Sequence, residues 1–340
     1  MSMKIKCNCL CYFPTTVAVI DDSQSFLAMI NKRLDKKQPR LLFNNPKVAL
    51  KKVNSLKKSN ADLEYVLKNL SLDEIHELET QPHSNTLVDV NLKWLHQKIY
   101  DPERFNCIPV MLVDYSMPDM NGIELCQQIK DKTIKKILVT SMSDYRLAVR
   151  AFNDGVIDKF ILKGASNLFD QINASILEAQ LDYFRKLYGM DGILGFIFRN
   201  RLPFDQSDYR EAFHSICKHI DFIEYYILDE WGSTLFLNEQ GKSTWLMIQT
   251  EENLREFYSV AQDNHAKKNI LTALKNKKSA PMLIAEEDYD IDVNNWHLYP
   301  LKTLLPNKKY FYSVITDKTV GHLDWKKIKS FNQAMKSFCR

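Results

Sequence analysis

Four short apolar runs in the first half of the chain each stop at a residue able to do chemistry. Thr16-Val17-Ala18-Val19-Ile20 ends in Asp21-Asp22, and Val110-Met111-Leu112-Val113 ends in Asp114. Ile137-Leu138-Val139 ends in Thr140-Ser141, and Phe160-Ile161-Leu162 ends in Lys163. Short continuous runs rich in Val, Ile and Leu are the pattern of strands buried on both faces. A further strand is expected over 40–44. Between the runs, apolar residues recur at helical spacing. Phe26, Leu27, Met29, Ile30 and Leu34 mark a helix over 23–36. Val48, Leu50 and Val53 mark one that starts at Pro46, a favoured first helical residue. Ile123, Leu125, Cys126 and Ile129 mark 122–130, and Leu147, Val149 and Phe152 mark 144–153, with Gly155 placed for a left-handed cap. Strands alternating with helices predict a parallel sheet with helices on both faces. The C-terminal ends of such strands gather on one edge, where ligands bind.

This alternation is interrupted once. After the helix that starts at Pro46, the next strand waits until residue 108, which predicts a helical insertion over about 56–106. Residues 62–67 read as helix, Ser71 to Glu74 has capping-box spacing, and 88–95 is amphipathic. Trp94, Leu95 and Ile99 need a surface to cover. A helical hairpin packed beside the preceding helix satisfies them, as does a docking face for a partner.

After Lys163, a helix from Ser166 to about Leu187 exceeds one domain's needs and points to a lever into a second domain. Residues 190–340 alternate differently. A helix over 207–219 precedes strand-like runs at 222–229, 234–238 and 243–249 with turn residues between them. Helices near 251–263 and 266–277, strands near 281–285, 297–305 and 309–316, and a helix over 324–337 complete an antiparallel α+β domain.

Composition narrows the function. Hydrophobic content of 45% and aromatic content of 11% can build two cores in 340 residues. A net charge of +4 makes no case for nucleic-acid binding, and no short basic helical reader module stands out. No apolar run reaches the length of a membrane span. The N-terminus lacks a signal-peptide pattern, so a cytoplasmic chain with reduced thiols is expected. Cys7, Cys9 and Cys11 alternate but match no common zinc spacing and read as a frayed or partly packed, reduced terminus.

The strand-end cluster carries the chemistry. Carboxylates gathered on one edge repel unless one is protonated or a cation neutralises them. A hard divalent ion with oxygen ligands, Mg²⁺, suits such a set, and a fixed Lys and a hydroxyl can hold phosphoryl oxygens. Carboxylates also form acyl phosphates. The residue types therefore predict Mg²⁺-dependent phosphoryl transfer to Asp114, followed by hydrolysis.

On these residues, and on Met-Pro-Asp-Met-Asn-Gly at 117–122, the segment 15–186 resembles a response-regulator receiver domain of the CheY-like type. The resemblance implies a five-stranded parallel sheet of order 2-1-3-4-5. It implies Asp21, Asp22, Asp114 and the backbone carbonyl of Ser116 as Mg²⁺ ligands, and Asp114 as phosphoacceptor. It implies Thr140 and Lys163 as the conserved-type hydroxyl and amine, and Phe160 as the switch aromatic. Two departures stand out. Gly164 follows the Lys where the family usually has Pro, and Phe160 replaces a frequent Tyr. The large insertion and an output half without a DNA reader resemble the Legionella-type quorum-sensing response regulators. The expected partners are a sensor histidine kinase or phosphotransfer protein and a second copy of the chain in a phosphorylation-dependent homodimer, with neither membrane nor nucleic acid. The chain is not expected to be an enzyme beyond turnover of its own phosphoryl group. Two other readings remain at this point: a receiver-gated enzyme with its active site in residues 190–340, and a DNA-binding regulator with an unfamiliar reader.

Overall fold

The computed structural model describes Cys9 and residues 11–56, 98–188, 206–229, 231–283, 290–305, 310–316 and 323–338, with Pro203, Asp288 and Asn307 besides. The expected helices within 57–97 and the apolar run at 193–198 lie outside the described residues. The chain divides into two compact units: Phe13–Asp62 with Glu103–Lys186, and Met1–Tyr12 with Leu63–Pro102 and Leu187–Arg340.

In the first unit a five-stranded parallel sheet carries helices on both faces. Its strands are β2 (Val17–Ile20), β3 (Arg40–Phe43), β4 (Val110–Asp114), β5 (Lys135–Thr140) and β6 (Lys159–Leu162), in the spatial order β3-β2-β4-β5-β6. Every pair of neighbours is parallel. β2 and β4 are buried along their whole length, which is why their apolar runs do not alternate.

Two cores lie on either side. One joins Ala18, Met111, Val113 and Leu138 to α2 (Pro46–Ser55), α3 (Gly122–Gln128) and α4 (Tyr145–Asn153). The other joins Val17, Val19, Leu112 and Val139 to α1 (Gln24–Arg33) and α5 (Leu168–Tyr188).

Local sequence sets the helix ends. Ser23 caps α1 through the Phe26 N–H. The helix stops at Leu34, which is extended, so it is shorter than the periodicity predicts. Pro46 opens α2 behind the Asn45 cap, and Gly155 adopts the left-handed conformation that ends α4. α5 begins at Leu168, two residues later than Ser166 suggests.

The second unit is built on a six-stranded antiparallel sheet. Its order is β1 (Cys11–Tyr12), β7 (Glu224–Ile227), β8 (Thr234–Leu237), β9 (Ser243–Thr250), β13 (Tyr310–Ile315) and β12 (Lys302–Leu305). A separate hairpin pairs β10 (Ser279–Pro281) with β11 (Leu298–Pro300). Helices α6 (Ser207–Cys217), α7 (Glu251–Asp263), α8 (Lys268–Lys275) and α9 (Phe331–Phe338) complete it.

Three expectations change here. The run 297–305 divides at Leu301, whose N–H donates to the Lys278 carbonyl, and its two halves join different sheets. The strand placed near 281–285 is instead Ser279–Pro281. The helix expected from 324 begins at Phe331, because Ser330 and Gln333 cap that start reciprocally. The described tail of the insertion also has a partner in this unit: the Tyr100 hydroxyl accepts from the Asp324 N–H at 2.9 Å.

Candidate functional site

Parallel register brings the strand-end residues together. Ile20 lies opposite Val113, so Asp21 and Asp114 follow side by side on β2 and β4. Asp114 pairs with Val139, which places Thr140 one step further along β5. Thr140 pairs with Leu162, and the Lys163 N–H donates to the Thr140 carbonyl at 2.8 Å. Three adjacent strand pairs thus bring acid, acid, hydroxyl and amine to one edge.

The side chains converge as well. Asp21, Asp22 and Asp114 each offer a carboxylate oxygen, all within 4.8 Å of one another. Asp21 and Asp114 are buried and Asp22 is exposed. Lys163 Nζ lies 2.8 Å from Asp21 Oδ2 and 2.9 Å from Asp114 Oδ1. The second oxygen of Asp21 accepts the Ser23 N–H at 2.9 Å, tying this carboxylate to the start of α1.

One ammonium faces three carboxylates, so the cluster keeps excess negative charge. Burial pushes the Asp114 carboxyl above its ordinary value. Lys163 offsets part of that shift, while Asp21 and Asp22 add to it. Burial alone would lower the Lys163 ammonium, but the hydrogen bonds and charges of Asp21 and Asp114 outweigh it and hold it above its ordinary value. The donor set fits a small hard dication, because all three side-chain donors are carboxylate oxygens. The Ser116 carbonyl follows on the exposed loop after β4 and accepts no backbone hydrogen bond among the described residues.

Local sequence builds the loop after Asp114. The Gly122 N–H donates to the Tyr115 carbonyl at 2.9 Å and folds the loop back on the strand end. Asp119 takes a left-handed conformation, φ 69°, which Asp tolerates better than most residues. Asn121 and Glu124 form a capping box that starts α3.

Thr140 is fully buried, and among the described residues its hydroxyl makes only a 3.5 Å contact with the Ser141 carbonyl. Phe160 is half-buried, with edge-on contacts to Tyr145 and Phe152 at centroid distances of 5.6 and 6.4 Å. It belongs to this edge but does not join the carboxylates.

Phe26 escaped the reading of the sequence as a site residue. Its ring centroid lies 4.7 Å from Lys163 Nζ. Its place in the apolar stripe of α1 marks only a core residue, and its partner lies far away in the chain. Among the described residues, Asp21, Asp22 and Asp114 form the one group of three or more candidate metal ligands. No helix among them is long and apolar enough to cross a membrane.

Residues 96–173 match the family described as the response regulator receiver domain, a span that holds Asp114, Thr140, Phe160 and Lys163. No curated protein matches the chain. Among solved structures, the Legionella pneumophila response regulator LqsR is 28% identical, over 99% of this chain and 97% of that chain, with a TM-score of 0.69. A response regulator receiver domain protein from Clostridium thermocellum is 17% identical, over 49% of this chain and 94% of that chain, with a TM-score of 0.30. The chain therefore carries the receiver domain of a two-component response regulator, followed by an α+β region with an antiparallel sheet.

Proposed function

We propose that this response regulator accepts a phosphoryl group on Asp114 from a histidine kinase or phosphotransfer protein. The modification then switches dimerisation and the C-terminal region, residues 190–340. The observation that carries this reading is Lys163, bonded to both Asp21 and Asp114 inside a three-carboxylate cluster. Such a constellation suits in-line phosphoryl transfer, where catalysis is largely positioning and charge stabilisation.

An Asp114 oxygen attacks the phosphorus of a phosphohistidine. A P–O bond forms as the P–N bond breaks, and the leaving nitrogen keeps the bonding pair and takes up a proton. Lys163 holds the acceptor carboxylate in place and donates to a phosphoryl oxygen as it arrives. When bound by Asp21, Asp22, Asp114 and the Ser116 carbonyl, Mg²⁺ supplies the charge neutralisation that lets a carboxylate and a phosphoryl group approach. Later, water attacks the phosphorus, the bond to Asp114 breaks, the carboxylate returns and inorganic phosphate leaves.

Thr140 is poised for the second part of the response. Its hydroxyl is buried and weakly held, so turning toward a phosphoryl oxygen sacrifices little. Phe160 follows that movement, and the balance between two receiver surfaces shifts. The similarity to LqsR over nearly the whole chain supports a role in quorum-sensing control.

The test is gel filtration with light scattering on wild type and Asp114→Asn, with and without beryllofluoride and Mg²⁺. A shift to dimer in wild type alone is expected. Persistent labelling of Asp114→Asn by acetyl phosphate would remove Asp114 as the acceptor.

A further inference from the structure

Lys163 is held from three sides. Its ammonium reaches Asp21 on one strand end and Asp114 on another. The third contact is the ring of Phe26 on α1, with the centroid 4.7 Å from Nζ. Phe26 is itself fixed by the core it shares with Val17, Val19, Ile30, Val139 and Ile161. A cation over an aromatic face is attracted by the ring quadrupole, more strongly as water is removed. Both groups here are mostly shielded: the Lys163 side chain is 29% exposed and Phe26 is 9% exposed.

We propose that Phe26 is a positioning residue for phosphoryl transfer to Asp114, acting through Lys163. The inference rests on the reading of Asp114 as phosphoacceptor. A lysine has a flexible four-carbon stem, and either carboxylate alone satisfies its charge. Without a third contact the ammonium can follow Asp21 and leave the acceptor. The ring restricts it to the position that serves both carboxylates. The ring face also offers no competing acceptor oxygen. Lys163 has three N–H donors, and two carboxylate bonds leave one for a phosphoryl oxygen. Phe26 thus fixes the ammonium while keeping a donor free for the incoming group.

The test uses the full chain and three variants. Phe26→Leu keeps apolar bulk but removes the aromatic face, Phe26→Tyr keeps the face, and Ile30→Val loosens the same core away from Lys163. Phosphorylation by acetyl phosphate with Mg²⁺ is followed by intact-protein mass. Phe26→Leu is expected to lower the maximal rate roughly three- to fivefold, the size of a cation–π contact that water still partly reaches, with the concentration dependence on acetyl phosphate unchanged. Phe26→Tyr and Ile30→Val are expected to match wild type.

Proton NMR gives an independent readout. The ring current should displace the Lys163 ε-methylene signals in wild type and Phe26→Tyr, and the displacement should vanish in Phe26→Leu. A Phe26→Leu rate equal to wild type would overturn the inference, as would Ile30→Val slowing the reaction as much. If wild type takes no phosphoryl group, the acceptor reading fails on its own. The NMR signal, read without phosphate, then still decides the placement, and its retention in Phe26→Leu would sink the role assigned to the ring.

Discussion

Gly122 stands so close to Asp114 that a Cβ built on it would lie 2.2 Å from the Asp114 carbonyl oxygen and 2.9 Å from Leu138 Cδ1. Backbone cannot yield there as a flexible side chain would. The glycine is therefore required by space rather than by an unusual φ. Gly122→Ala must push the loop 115–121 away from β4. Overpacking of this kind costs about 1–3 kcal/mol. A urea midpoint lowered to match, together with slower labelling of Asp114, is the expected result. A wild-type midpoint would show that the loop relaxes freely.

Lys163→Met should expose the charge imbalance of the site. Removing one partner of a mostly buried ion pair leaves the other charge uncompensated, here costing about 1–3 kcal/mol after allowance for the partial exposure of Lys163. Asp114 has a folded value raised above 3.8, chiefly by burial. A group raised in this way favours the fold when protonated, and that contribution is lost as pH rises through the folded value. Lys163→Met should therefore be most destabilised at neutral pH. Its deficit should shrink as pH falls through the raised Asp114 value towards 3.8. Thermal melts of wild type and variant across pH 4–7 check this, and a deficit independent of pH would contradict it.

Mg²⁺ should partly replace what that lysine supplies. A ligand that binds only the folded state stabilises it by about 2.7 kcal/mol at a hundred times its dissociation constant. Wild type should melt higher in Mg²⁺, and EDTA should reverse the gain and halt labelling by acetyl phosphate. Asp21→Asn keeps an acceptor for the Ser23 N–H but loses a charged ligand. It should fold and show little Mg²⁺ response. An undiminished response in Asp21→Asn would exclude that carboxylate as a ligand.

Much of this site was legible because a buried parallel sheet leaves little freedom. Once the runs ending at Ile20, Val113, Val139 and Leu162 are strands, register alone sets Asp21, Asp114, Thr140 and Lys163 along one edge. The left-handed Gly155 also follows from a local rule. Long-range choices were not legible. Cys11–Tyr12 is too short to show a period, yet it pairs with β7 more than two hundred residues later. The break at Leu301 depends on a carbonyl at Lys278 that no local pattern announces. The contact between Phe26 and Lys163 is equally invisible, because any apolar residue in that stripe fits the helical period.

Gly164 offers a contrast with Gly122. A Cβ at Gly164 meets nothing within 4 Å, and its φ lies outside the left-handed range. Neither space nor backbone demands glycine after Lys163. Gly164→Ala should leave the site intact and stabilise the chain by about 0.4–1 kcal/mol, by reducing the freedom of the unfolded state. Differential scanning calorimetry checks the direction. A marked loss of stability would mean that the loop needs conformations the folded structure does not display.

Phe160 tests whether the acceptor and the switch are separable. Its ring packs edge-on against Tyr145 and Phe152, each a little under half exposed. Aromatic pairs of this geometry contribute about 0.5–1.5 kcal/mol each beyond their buried area. The ring is thus held in a preferred position, and the proposed switch requires it to leave that position when Thr140 moves. Phe160→Ala removes both contacts without touching a carboxylate or Lys163. Labelling of Asp114 by acetyl phosphate should continue at close to the wild-type rate, while the shift to dimer in beryllofluoride and Mg²⁺ is lost. Loss of labelling would place Phe160 in the acceptor chemistry instead. A dimer formed at the wild-type protein concentration would show that the signal leaves the site by another route.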